Sequence, residues 1–74
     1  MQEIQINQEP IELVKILKFW NIAASGGEAK MVISTGQVLV NGRIETRKGK
    51  KIYSGDIVEI GENKIRVTVK PKKG

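Results

Sequence analysis

The chain contains no cysteine and no histidine. Without cysteine no disulfide can staple it, and without either residue a structural zinc site is nearly excluded. The same two absences remove the commonest general base and the strongest nucleophile. Its carboxylates lie scattered among lysines as helix-face or turn residues, with no acid/base pair standing out. Gly26-Gly27 and the other glycines lack the spacing of a dinucleotide fingerprint or a Walker loop. No catalytic residue, metal site or cofactor is expected, and a binding module is the better reading than an enzyme. No apolar run approaches the ~20 residues of a membrane span, and no charged-then-apolar leader is read at the start. The expectation is a soluble, cytoplasmic protein with no membrane partner.

Aromatic residues are equally scarce, with only Phe19, Trp20 and Tyr53 present. A base-stacking platform needs several on one exposed sheet face. Trp20 falls on an apolar helical stripe and is expected in the core. Tyr53, beside a basic loop, suits stacking and strand packing equally.

What is present is a small, basic, aliphatic chain. Its 74 residues, 39% apolar and dominated by Ile and Val, suit one domain spanning residues 1–74 with an efficiently filled core. Thirteen Lys/Arg against eight Asp/Glu give a net charge of +5. Up to Val40, Lys15, Lys18 and Lys30 face Glu3, Glu9, Glu12 and Glu28, a net of −1. Beyond it, ten basic residues face Glu45, Asp56, Glu59 and Glu62, a net of +6. Such asymmetry favours a polyanionic partner, nucleic acid ahead of anionic membrane. The competing reading is a solvated basic surface that keeps a small protein soluble.

The pattern predicts an α+β fold. Glu3 to Ile6 alternates as a short edge strand. Pro10 suits a first helical position, and Leu13, Ile16, Leu17 and Trp20 form one apolar stripe, ended at Asn21. Ser25-Gly26-Gly27-Glu28 reads as a capping box opening a second helix. Ala29, Val32 and Ile33 supply its buried face, and Gly36 its left-handed end. Val38 to Val40 is a strand, Asn41-Gly42 a hairpin turn, and Arg43 to Glu45 the start of the return. Thr46 to Lys51 reads as a basic loop too polar to pack. Ile52-Tyr53, a turn at Ser54 to Asp56, and a strand over Ile57 to Ile60 follow. In the last strand Ile65, Val67 and Val69 face one way, and Lys64, Arg66, Thr68 and Lys70 the other. Pro71 to Gly74 is expected to fray.

Two places suit an anion. Arg47, Lys48, Lys50 and Lys51 surround Gly49, so a phosphate strand could be met by a bidentate guanidinium and several point charges; a solvated turn is the alternative. At the start of the second helix, Gly26 and Gly27 leave the free N–H groups unshielded, with Lys30 one turn on. Against that, Ser25 and Glu28 also read as purely structural caps.

Three stretches taken together resemble the ribosomal S-four RNA-binding domain: Ser25-Gly-Gly-Glu-Ala-Lys30, Gly36-Gln-Val-Leu-Val-Asn-Gly42 and Gly55-Asp-Ile-Val-Glu-Ile60. The likeness covers roughly residues 10–60. With Arg47-Lys-Gly-Lys-Lys51 it is narrower, resembling the free-standing bacterial subfamily typified by YbcJ and YaaA. The resemblance implies an αL RNA-binding motif, two antiparallel helices packed on a small, mostly antiparallel sheet. It also implies RNA lying across the helix start (Ser25, Gly26, Gly27, Lys30) and the turn (Asn41, Gly42, Arg43). Many family members carry Arg as a main phosphate contact where this chain has Gly26 or Gly27; the Arg47 to Lys51 loop is expected to compensate.

The leading expectation is a stand-alone, monomeric module gripping structured RNA, ribosomal or transfer RNA, mainly through phosphates. Ribosomal or other RNA-processing proteins are further partners. The alternative is a small basic adaptor in a ribosome-assembly or replication complex, which requires an exposed apolar patch around Phe19, Trp20 or Tyr53. Duplex DNA binding by the second helix suffers because Lys30, Met31 and Ser34 offer few base-edge readers.

Overall fold

A computed structural model describes residues 2–70; the expected fraying of Pro71 to Gly74 lies outside them. The order of elements is β1 (Gln2–Ile6), β2 (Ile11–Glu12), α1 (Leu13–Phe19), α2 (Gly26–Ser34), β3 (Val38–Val40), β4 (Arg43–Ile44), β5 (Lys51–Ile52), β6 (Ile57–Ile60) and β7 (Asn63–Val69). A five-stranded sheet runs β1-β7-β6-β3-β4, and β2 pairs with β5 in a separate two-stranded ribbon. All pairings are antiparallel except β1 with β7, which is parallel with Ile4 opposite Val67 and Ile6 opposite Val69.

Both helices end as their sequences ask. Asn21 sits at φ 64, the N–H of Asn21 donates to Lys18 O at 3.0 Å, and that of Ile22 donates to Leu17 O at 3.2 Å. The second helix repeats the device, with Gly36 at φ 78 donating to Ile33 O and Gln37 to Val32 O. These paired bonds satisfy carbonyls that a helix end otherwise strands. At the other end of α2, Ser25 Oγ accepts from Glu28 N at 3.2 Å, the hydroxyl half of the expected capping box.

One core serves both helices and both sheets. Leu13, Ile16 and Leu17 from α1, Ala29 and Ile33 from α2, and Ile6, Val38, Val40, Ile52, Val58, Ile65 and Val67 from the strands are buried together with Ala23. Fully burying each large aliphatic side chain contributes roughly 1.5–3 kcal/mol, and these contacts carry the fold in a chain that has no cysteine to cross-link it. Trp20 and Val32 pack against this cluster half-buried, so Val32 is a flank of the α2 face and not its centre. On β7, Ile65 and Val67 are buried while Lys64, Arg66 and Lys70 are exposed, as the alternation demands.

The first helix begins later than its sequence suggests. Ile11 pairs with Ile52 and Glu12 with Lys51, so the two residues after Pro10 are strand and α1 starts at Leu13. Glu12 gives no side-chain cap. The free N–H groups of the first turn are met instead by carbonyls: Leu13 N donates to Lys50 O at 2.9 Å, and Val14 N to Lys48 O at 3.1 Å. The loop expected to be too polar to pack is therefore docked by its backbone onto α1. Its side chains are polar, but its carbonyls are the acceptors that a helix start lacks. Ile52, fully buried, fixes its far end, and the ribbon strand is Lys51–Ile52, not Ile52-Tyr53.

Candidate nucleic-acid interface

The β3–β4 hairpin and the loop that follows it build one cationic groove. Asn41 and Gly42 both take positive φ, 52 and 82, as a two-residue type I′ turn requires. This reverses the chain so tightly that Arg43 stands directly opposite Val40. The docked backbone of residues 47–50 then brings the loop round beside the hairpin. The result is a concavity of about 430 Å³ lined by Val40, Asn41, Arg43, Ile44, Glu45, Arg47, Lys50, Lys51, Tyr53 and Asp56. Four cations separated by up to eight positions in sequence thus share one wall.

Asn41 serves the groove as a brace. Its Oδ1 accepts from Ile57 N at 2.9 Å and its Nδ2 donates to Asp56 Oδ1 at 3.1 Å. The second carboxylate oxygen, Asp56 Oδ2, accepts from Tyr53 N at 2.8 Å. Turn, loop exit and β6 are so locked by a single carboxylate–amide pair. Each polar atom of the side chain makes one such bond, so the amide holds the turn against β6. In the sequence Asp56 reads only as a turn residue, yet an Asp after Gly in a turn is the residue type that bonds nearby backbone N–H groups.

Arg47 is not a free cation. Its Nε lies 3.0 Å from Glu45 Oε2 and its Nη2 lies 3.3 Å from Oε1, a two-pronged contact, and its backbone N–H also donates to Oε2 at 3.0 Å. The hydrogen bonds from Arg47 hold the Glu45 carboxyl below its ordinary value, and the bond to Glu45 holds the Arg47 guanidinium above its own. Glu45, unmarked in the sequence beyond its charge, therefore presets where the guanidinium points. It also lowers the net charge that a phosphate would meet there.

Lys48 and Gly49 are exposed on the outer side of the loop, and Gly49 joins Arg47, Lys50, Lys51 and Tyr53 around a neighbouring concavity. Ser25, Gly26, Gly27 and Lys30 are absent from the lining of the hairpin groove. At the start of α2, Ser25, Gly27 and Lys30 are exposed, and a Cβ on Gly26 would meet nothing within 4 Å. The groove thus gathers Arg43, Arg47, Lys50 and Lys51 of the expected site, and its lining includes neither Lys48 nor the helix start. Two of the three aromatics are outside the core, Phe19 at 62% exposure and Tyr53 at 48%.

A helix pair laid on a small mixed sheet, with a basic hairpin beside it, is the αL arrangement. The solution structure of YbcJ from Escherichia coli superposes with a TM-score of 0.71 at 36% identity, covering 92% of this chain and 87% of that one. That structure is described as revealing an αL motif involved in RNA binding. The S4 domain family model matches residues 4–68, and the chain belongs to this family. Among its relatives, YbcJ of Escherichia coli (strain K12) is 37% identical over 68 residues, 90% of this chain and 97% of YbcJ. A Bacillus subtilis (strain 168) protein named "Probable ribosome maturation protein RlbA" is 46% identical over 57 residues, 77% of this chain and 80% of that protein.

Proposed function

We propose that the chain is a non-catalytic RNA-binding module that grips structured RNA, ribosomal or transfer RNA, mainly through its phosphates. Arg43, Arg47, Lys48, Lys50 and Lys51 make the contacts around the Asn41–Gly42 turn, and Ser25, Gly26, Gly27 and Lys30 extend them at the helix start. The observation that carries this reading is the convergence of Arg43, Arg47, Lys50 and Lys51 on one groove. A rigid wall of cations suits a backbone of regular charge spacing, and it reads shape more than base identity. Support comes also from YbcJ, whose αL motif is described as involved in RNA binding, and the ribosomal preference leans on the name of the Bacillus subtilis relative.

The test is a fluorescence titration of ribosomal and transfer RNA hairpins at several salt concentrations, with duplex DNA as competitor. Neutralising about five phosphates gives a slope of log affinity against log salt near −4 to −5. Preference for duplex DNA, or binding too weak to measure at physiological salt, counts against it. The adaptor reading draws on the exposure of Phe19 beside Lys15. It predicts that second outcome, together with tight binding of an acidic protein.

A further inference from the structure

Lys51 occupies a position that the phosphate reading leaves unexplained. It lines the cationic groove together with Tyr53, and it also lines a second concavity of about 670 Å³ on its other side, with Pro10, Ile11, Lys15 and Phe19. Lys51 and Tyr53 flank the fully buried Ile52, and both are exposed. Two residues of chain span at most about 7 Å, within one nucleotide step of an extended strand. Phe19 reaches the second concavity from α1, where Lys15 and Phe19 stand one turn apart on the exposed side. Lys51 thus lines two concavities, each of which holds one exposed ring.

The two sides differ in charge. The Tyr53 side carries Arg43, Arg47 and Lys50 against Glu45 and Asp56, a net excess of cation. The Phe19 side carries Lys15 and Glu12, whose charges offset one another, with Glu12 facing Lys51 across the ribbon, together with the amides of Asn7 and Gln8. With Lys15 and Glu12 offsetting one another, that side adds no net charge for a second phosphate, whereas side-chain amides offer the donors and acceptors that a base edge needs. An aromatic face with amides nearby holds a base; a cation between two such faces holds the phosphate joining them.

We propose that RNA held in the cationic groove presents two unpaired nucleotides at this point, one base stacked on Tyr53, the next on Phe19, with their shared phosphate on Lys51. This rests on the RNA-binding reading above and narrows its substrate to structured RNA interrupted by a bulge or loop.

The experiment compares two labelled RNA hairpins, identical except that one carries two unpaired nucleotides in its stem, the second of them 2-aminopurine. Wild type is expected to favour the interrupted hairpin by about ten-fold and to quench the 2-aminopurine on binding. Tyr53→Leu and Phe19→Leu each weaken the interrupted hairpin by roughly five- to a hundred-fold and leave the paired one unchanged. Tyr53→Phe, which keeps the ring, retains wild-type affinity. Equal affinity for both hairpins, untouched by either leucine variant, overturns the nucleotide subsite while leaving phosphate binding intact; it is the outcome expected if the rings cover a protein. Equal weakening of both hairpins by the leucine variants overturns it too. Failure to bind either hairpin removes the RNA-binding reading itself.

Discussion

The backbone N–H of Leu13 donates to the carbonyl of Lys50 at 2.9 Å, which ties the first turn of α1 to the cationic loop. The bond uses main-chain atoms at both ends, so the loop's position is independent of its charges. Lys48→Ala and Lys50→Ala are therefore expected to leave stability within about 0.5 kcal/mol, as surface changes usually do, while weakening RNA binding. Leu13→Ala, which hollows the core beneath the same bond, is expected to cost about 2–5 kcal/mol. Urea unfolding of the three variants checks both statements.

Glu45 sets the second prediction. Replacing it by Gln removes the charge that Arg47 now faces, so Glu45→Gln is expected to raise RNA affinity and to steepen the salt slope by up to about one. The pH dependence follows from the lowered carboxyl. A depressed carboxylate stabilises the folded state fully above its ordinary value of 4.5 and loses that contribution as pH falls through the lowered one. Wild type is expected to lose this increment in acid, and the Gln variant is expected to lack that step. Thermal melts between neutral pH and pH about 3 decide it.

Asn41 is expected to matter through the fold. Asn41→Ala deletes the bonds to Ile57 N and Asp56 and leaves a non-glycine residue at φ 52, for an expected cost of about 1–3 kcal/mol. Asn41→Gly relieves the backbone but not the bonds, and should fall between wild type and Ala. The same order in RNA affinity identifies Asn41 as a brace; loss of affinity at unchanged stability identifies it as a contact.

The helix start gives a fourth test. A Cβ on Gly26 meets nothing within 4 Å, so Gly26→Ala is expected to be neutral or stabilising by up to about 1 kcal/mol. If a phosphate approaches the free N–H groups there, the same methyl weakens RNA binding. Unchanged RNA affinity takes the α2 start out of the interface.

Local chemistry was legible in the sequence, and non-local chemistry was not. Asn21, Ser25, Gly36 and Asn41-Gly42 announce helix ends and a turn because the bonds they make span only a few residues. The buried faces of α1 and β7 follow from periodicity alone. Ile11–Glu12 escaped notice because its partner, Lys51–Ile52, lies forty positions away and Pro10 imitates a helix start. The docking of the basic loop was hidden for another reason: it uses carbonyls, which every residue carries, beneath side chains that advertise solvent. The cations of the candidate site were visible as residue types. Their convergence, and the hold of Glu45 on Arg47, required the three-dimensional return of the chain. The exposure of Phe19 was half legible, since it lies off the stripe of Leu13, Ile16, Leu17 and Trp20.

RNA binding by the hairpin groove is proposed to run through its cations. The most direct test is the salt slope of RNA binding for a variant with Ala at positions 47, 48, 50 and 51. With four of about five phosphate partners removed, the slope is expected to fall from about −4.5 to near −1, with unchanged circular dichroism. A variant that keeps wild-type affinity and slope would contradict the claim.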